Sequence, residues 1–95
     1  MNELTTQELK QWMEEGKDFQ LIDVREVHEH EMQNIGGELM PTSEFSKYID
    51  KIEPEKPVVV YCQSGNRSAQ VIHYLSTQLD FDNLINLQGG ILAWE

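Results

Sequence analysis

The chain has 95 residues, 39% of them hydrophobic, which suffices for one small core and excludes a two-domain architecture. Seven Lys and Arg against seventeen Asp and Glu leave a formal net charge of −10, a field that repels phosphate backbones and anionic lipid headgroups and so disfavours nucleic acid and membrane surfaces as partners. No apolar stretch approaches the roughly 20 residues of a membrane span, and the start Met1-Asn2-Glu3-Leu4-Thr5 has neither the basic residues nor the apolar run of an export signal, so the expected location is cytoplasmic.

Thr5-Thr6-Gln7-Glu8 has the form of a capping box, and Leu9, Trp12 and Met13 then recur at helical spacing until Gly16, which predicts a first amphipathic helix. Phe19 to Val24 is a short apolar run with β-branched members, suited to a strand buried on both faces and ending at the polar Asp23-Val24-Arg25-Glu26. Val27 to Met32 holds one or two helical turns at most, and His28 and His30 in this acidic stretch read as solvated residues of a polar turn. Asn34-Ile35-Gly36-Gly37 is a turn signal, followed by a brief extended segment Glu38 to Pro41. Phe45, Tyr48, Ile49 and Ile52 predict a second helix with Ser43 as its cap and Pro54 and Pro57 marking the exit.

Val58-Val59-Val60-Tyr61 is a continuous apolar run too short for a helix and too apolar for an edge strand, so it belongs in the middle of a parallel sheet. Cys62 stands at its carboxyl end. After Gln63-Ser64-Gly65-Asn66, a third helix begins near Arg67 and carries Ala69, Val71, Ile72, Leu75 and Leu79. Leu84 to Leu87 supplies a last strand, Gly89-Gly90 a turn, and Ile91 to Trp94 the start of a final helix, with Trp12 and Trp94 as packing aromatics. Alternating strands and helices imply an α/β domain spanning 1–95, an open parallel sheet of four to five strands flanked by helices on both faces. Ligands of such sheets gather outside the carboxyl ends of the strands, where Asp23-Val24-Arg25 and Cys62 are both expected.

The segment Cys62 to Ser68 concentrates the chemistry. A helix N-terminus leaves about four amides unpaired and carries roughly half a positive charge, which stabilises a thiolate or a bound anion. Gly65 permits a turn at positive φ, Ser64, Asn66 and Ser68 can hydrogen-bond the loop to itself, and Arg67 adds a permanent cation. These conditions lower a thiol pKa and make Cys62 a nucleophile, because the thiolate is the reactive form; the alternative is an inert cysteine buried at a strand end. A single cysteine forms no internal disulfide and no paired-cysteine zinc site, and the spacings of His28, His30, His73 and Cys62 match no ligand pattern, so neither a metal nor a cofactor is expected. His73, six residues after Arg67, falls on a different face of its helix from the loop, and Gly89-Gly90 reads as a tight-packing turn rather than a phosphate site.

The run Cys62-x-x-Gly65-x-Arg67-Ser68 resembles the active-site loop of rhodanese-type sulfurtransferases. The resemblance extends along the chain: Asp23-Val24-Arg25 is similar to the family's Asp-x-Arg strand end, Asn34 to Pro41 to its glycine and proline segment, and Leu87-x-Gly89-Gly90-x-x-Ala93-Trp94 to its closing motif. It implies a rhodanese-like fold and a Cys62 that takes a sulfane sulfur from a donor such as thiosulfate or a persulfide and passes it to a thiol, cyanide or protein acceptor. Under that resemblance Gln63, Ser64, Gly65, Asn66 and Ser68 form an amide cradle for the substrate sulfur, and Arg67 steers an anionic donor. Asp23 anchors the loop or a neighbouring strand, while Arg25 is structural or paired with an acidic neighbour, the alternative being a surface ion pair.

The chain departs from the family at Glu31 to Leu39, which keeps glycine but lacks the Pro-Gly-Ala turn, and it ends at Glu95 directly after the closing motif, as a trimmed chain or one module of a longer protein would. Two other readings compete. A cysteine phosphatase or arsenate reductase places five residues between Cys and Arg, whereas Cys62 and Arg67 have four between them, and Tyr61 stands where a phosphatase has His. A persulfide carrier or regulatory interaction module in a sulfur relay would keep the same cysteine and differ only in its acceptor.

Overall fold

The computed structural model describes residues 1–94. In chain order the elements are β1 (Glu3–Leu4), α1 (Thr6–Glu15), β2 (Gln20–Asp23), α2 (Val27–Met32), β3 (Glu38–Leu39), β4 (Val58–Tyr61), α3 (Asn66–Gln78) and β5 (Leu84–Leu87), with 3-10 turns at Thr42–Lys47, Ile49–Lys51 and Gly90–Ala93. The five strands form one parallel sheet in the order β1-β5-β4-β2-β3. The most apolar strand, β4, takes the central position that its unbroken Val-Val-Val-Tyr run requires, and all four of its residues are buried.

The side-chain alternation of a strand divides that burial between two cores. Val58, Val60 and Cys62 face one side with Ile22, Ile72 and Leu75, under α3 and the first two 3-10 turns. Val59 and Tyr61 face the other with Leu4, Leu9, Leu87 and Ile91, under α1 and the last 3-10 turn. Each fully buried valine contributes roughly 1.5–3 kcal/mol relative to exposure, so β4 alone is a principal source of stability. Because Cys62 continues the Val58 and Val60 face, its sulfur lies on the side of the sheet covered by α3.

The first helix starts as its sequence dictates: the Thr5 hydroxyl accepts from the Glu8 amide at 3.1 Å, the Glu8 carboxylate accepts from the Thr5 amide at 2.9 Å, and Gly16 closes the helix at φ 68°. The second predicted helix differs. Residues Thr42 to Lys51 form two 3-10 turns, with Glu44 at φ −130° interrupting any α-helical run. Ser43 does not cap them, because its hydroxyl and amide are both taken by the Glu26 carboxylate, at 2.5 and 3.3 Å. The i, i+3 spacing of Phe45 with Tyr48 and of Ile49 with Ile52 suits a three-residue turn as well as a helix, and these residues pack on the α3-side core. The last segment is likewise a 3-10 turn rather than an α-helical start. Strand β1, two residues long, gave no period to read; it is held by the Asn86 amide on Asn2 and the Gln88 amide on Leu4.

Candidate active site

Residues Asp23 of β2 and Tyr61 of β4 are paired in register, so Arg25 and Cys62, just beyond them, emerge on the same carboxyl rim of the sheet. From there the chain turns through Gln63 and Ser64 to Gly65, whose φ of 104° lies in the left-handed region and starts α3 directly over the end of β4. Two bonds set the loop's orientation. The carbonyls of Cys62 and Gln63 are drawn outward by the amides of Ile91, at 2.9 Å, and Leu92, at 3.0 Å. The amides that follow turn inward, and the Gly65 and Ser68 N–H groups donate to the Cys62 Sγ at 3.1 and 3.4 Å.

Burial pushes the Cys62 thiol up, but the Ser68 hydroxyl and amide and the amides of Gly65 and Ser64 together outweigh it, leaving the thiol below its ordinary 9.0. The loop thus stabilises negative charge on sulfur by backbone dipoles at a helix N-terminus. Gln63, Ser64 and Asn66 are exposed, so the loop meets the sulfur through its backbone amides and the buried Ser68 hydroxyl.

A polar residue inside β5, passed over as part of an apolar strand, completes the arrangement. Asn86 is 4% exposed; its Nδ2 donates to the Gly65 carbonyl at 3.1 Å and its Oδ1 accepts from the Ser68 hydroxyl at 2.6 Å. That hydroxyl also stands 3.4 Å from the Cys62 sulfur. Asn86 therefore fixes both the turn glycine and the hydroxyl beside the nucleophile. Its signal in the sequence was a lone amide within Leu84-Ile85-Asn86-Leu87, a site where a buried polar group must find partners.

Asp23 and Arg25 form a buried pair, with Arg25 only 4% exposed, so it lies against an acidic neighbour and not in a surface pair. Its Nε and Nη2 reach the Asp23 carboxylate at 3.0 and 2.9 Å, and its Nη2 also donates to the Gln33 carbonyl at 2.6 Å. Asp23 does not touch the Cys62 loop among the described contacts; it anchors Arg25 and, through a 2.8 Å contact with Nδ1, His30 on α2. A carboxylate only accepts, so the imidazole carries its proton on Nδ1. His30 is thus a half-buried partner of the strand end rather than the solvated residue its acidic neighbours suggested. Burial pushes the Asp23 carboxyl up, and the hydrogen bonds from Arg25 and His30 bring it below the ordinary range.

Arg67 is not an unpaired cation at the mouth. Its Nη1 and Nη2 donate to the two Glu29 oxygens, each at 2.8 Å, so the guanidinium grips the carboxylate with both prongs and ties α3 to α2. The Arg67 hydrogen bonds hold the Glu29 carboxyl down at about 2. No group of His, Cys, Asp and Glu among the described residues is arranged to hold a metal, and His73 is exposed on α3.

Residues 5–95 match the Rhodanese-like domain family. The chain belongs to that family. Among its relatives, a protein from Allochromatium vinosum named sulfurtransferase is 34% identical over 95 residues, covering 99% of this chain and 88% of that protein. The probable adenylyltransferase/sulfurtransferase MoeZ of Mycobacterium tuberculosis is 34% identical over 94 residues, and there this rhodanese-like domain spans 24% of the relative's length. The crystal structure of a rhodanese-like domain protein from Staphylococcus aureus superposes with a TM-score of 0.90 at 31% identity, covering 100% of this chain and 92% of that one.

Proposed function

We propose that this rhodanese-like domain, as one unit over residues 1–95, is a sulfurtransferase that carries sulfane sulfur on Cys62 between soluble compounds in the cytoplasm. The observation that carries the reading is the Cys62 sulfur beneath the amides of Gly65 and Ser68, on a thiol held below its ordinary pKa. The thiolate attacks the outer sulfur of the donor. A new S–S bond forms at Sγ while the donor's own S–S bond breaks, and the electron pair leaves with sulfite when the donor is thiosulfate or with a thiolate when it is a persulfide. Gln63, Ser64, Gly65, Asn66 and Ser68 supply the loop whose amides hold the terminal sulfur anion, and Asp23 with Arg25 sets the neighbouring strand end. Arg67 defines the α2 side of the mouth through Glu29. A thiol, cyanide or a protein thiol then takes the outer sulfur and returns the Cys62 thiolate, a cycle that needs neither metal nor organic cofactor.

Serving as a persulfide carrier in a relay is the same chemistry with a protein acceptor, and the net charge of −10 suits a basic partner. The test is Cys62→Ser assayed for sulfur transfer to cyanide. Loss of transfer with the fold retained supports the reading, and retained transfer ends it. No described helix is long and apolar enough to cross a membrane.

A further inference from the structure

We infer that Glu29 is a specificity-determining residue which, by neutralising Arg67, sets the Cys62 site against small dianionic donors such as thiosulfate and in favour of thiol-carried persulfides. The inference rests on the sulfurtransferase reading above and concerns which donor that site accepts.

Three observations carry it. First, one N–H on each terminal nitrogen of Arg67 is engaged by the Glu29 carboxylate at 2.8 Å, and that carboxylate offsets the guanidinium's charge, so the pair presents no net cation to a sulfonate. Second, Arg25, the other arginine at this rim, is 4% exposed and equally committed to Asp23. Third, the chain as a whole carries −10, so nothing at longer range compensates for the missing local cation. The cradle itself presents amides to one sulfur atom, which matches the single atom transferred and leaves the rest of the donor unassisted.

The two donors differ in what must be accommodated beside that atom. Thiosulfate brings a sulfonate that departs as sulfite with two negative charges, at a rim whose two arginines are both paired with carboxylates. An alkyl persulfide, R–S–SH, is attacked at its outer sulfur, so that Cys62–S⁻ and R–S–SH become Cys62–S–SH and R–S⁻. The Sγ–S bond forms, the donor S–S bond breaks, and a single charge leaves on a sulfur that needs no cationic clamp.

The experiment compares wild type with Glu29→Gln, a change that keeps an oxygen to accept the Glu26 amide while removing the charge. Cys62 is the one cysteine of the sequence, so its reactivity is read directly. Rates of alkylation by anionic iodoacetate and neutral iodoacetamide, and rates of sulfur loading from thiosulfate and from an uncharged alkyl persulfide followed by intact mass, give two independent pairs. With the pair broken, Arg67, which interacts electrostatically with Cys62, acts as a free cation, and removing the opposing charge changes an anion's rate about three- to tenfold at intermediate dielectric. The expected result is that rise for iodoacetate and thiosulfate, with iodoacetamide and the alkyl persulfide within about twofold, and a difference that shrinks as salt is added. Equal changes for charged and neutral reagents, or an unchanged iodoacetate rate in a folded Glu29→Gln protein, would overturn the inference. If that variant does not fold, wild type decides: added salt should speed iodoacetate relative to iodoacetamide, and a ratio indifferent to salt refutes the charge argument. Absence of sulfur loading from either donor in both proteins would sink the sulfurtransferase reading instead, and the alkylation ratio would still report on Glu29.

Discussion

Replacing Gly90 by Ala tests how the loop is held. A Cβ at this position would stand 2.5 Å from the Cys62 carbonyl oxygen and closer still to that of Gln63, both backbone atoms that no side-chain rotation relieves. Its φ of 61° adds the left-handed penalty of about 1–2 kcal/mol for a residue with a Cβ. Overpacking against fixed backbone adds roughly 1–3 kcal/mol, for a total near 2–5 kcal/mol in a domain whose whole stability is about 5–15 kcal/mol. Gly16→Ala is the matched control, since Gly16 has φ 68° with nothing within 4 Å of the added atom and should pay the backbone penalty alone. Urea unfolding of both variants isolates the contact contribution as their difference. The same clash pushes the Cys62 and Gln63 carbonyls off the Ile91 and Leu92 amides, so Gly90→Ala should also lose sulfur loading under conditions where it remains folded. Equal stability of the two variants, with loading intact in Gly90→Ala, would refute the argument that the Gly89-Gly90 turn seats the loop.

Two further outcomes follow from the hydrogen bonds around the rim. Asp23→Asn removes the charge that compensates a buried guanidinium and should destabilise the fold by about 3–5 kcal/mol, measured by chemical unfolding near neutral pH; a loss under about 1 kcal/mol would show that Arg25 finds water or another acceptor. Ser68→Ala removes the hydroxyl 3.4 Å from Sγ, and the midpoint of a pH profile of Cys62 alkylation should then rise from its position below 9.0 toward the ordinary value. In both proteins reactivity is lost as pH falls through the folded-state midpoint, because the reactive form is the thiolate. An unchanged midpoint would place the whole effect on the backbone amides.

Much of the scaffold was legible because local and global signals agreed. The Thr5 and Glu8 capping box, the fully apolar β4 and the placement of Cys62 between that strand and a glycine-led helix each follow from short-range patterns, and the parallel sheet follows from their alternation. Asp23 and Cys62 reach one rim because parallel strands point their carboxyl ends the same way. What escaped the sequence were contacts between distant residues. Glu29 and Arg67 are 38 positions apart, so Arg67 read as a cation open to a donor, and His30, which reaches Asp23 from the next helix, read as solvated because its sequence neighbours are acidic. Asn86 escaped because a four-residue strand was judged by its apolar majority. The 3-10 turns after Pro41 share apolar spacings with an α-helix, and the competing claim of Glu26 on Ser43 is visible only in three dimensions.

The central claim is that Cys62 carries the sulfur, and intact mass of the purified protein after incubation with thiosulfate and, in parallel, with an alkyl persulfide tests it most directly. The account predicts a gain of one sulfur, roughly 32 Da, that cyanide or a reducing thiol reverses and that Cys62→Ala lacks, as a nucleophilic thiolate requires. A folded protein that gains no sulfur from either donor, or gains it equally without Cys62, would contradict it.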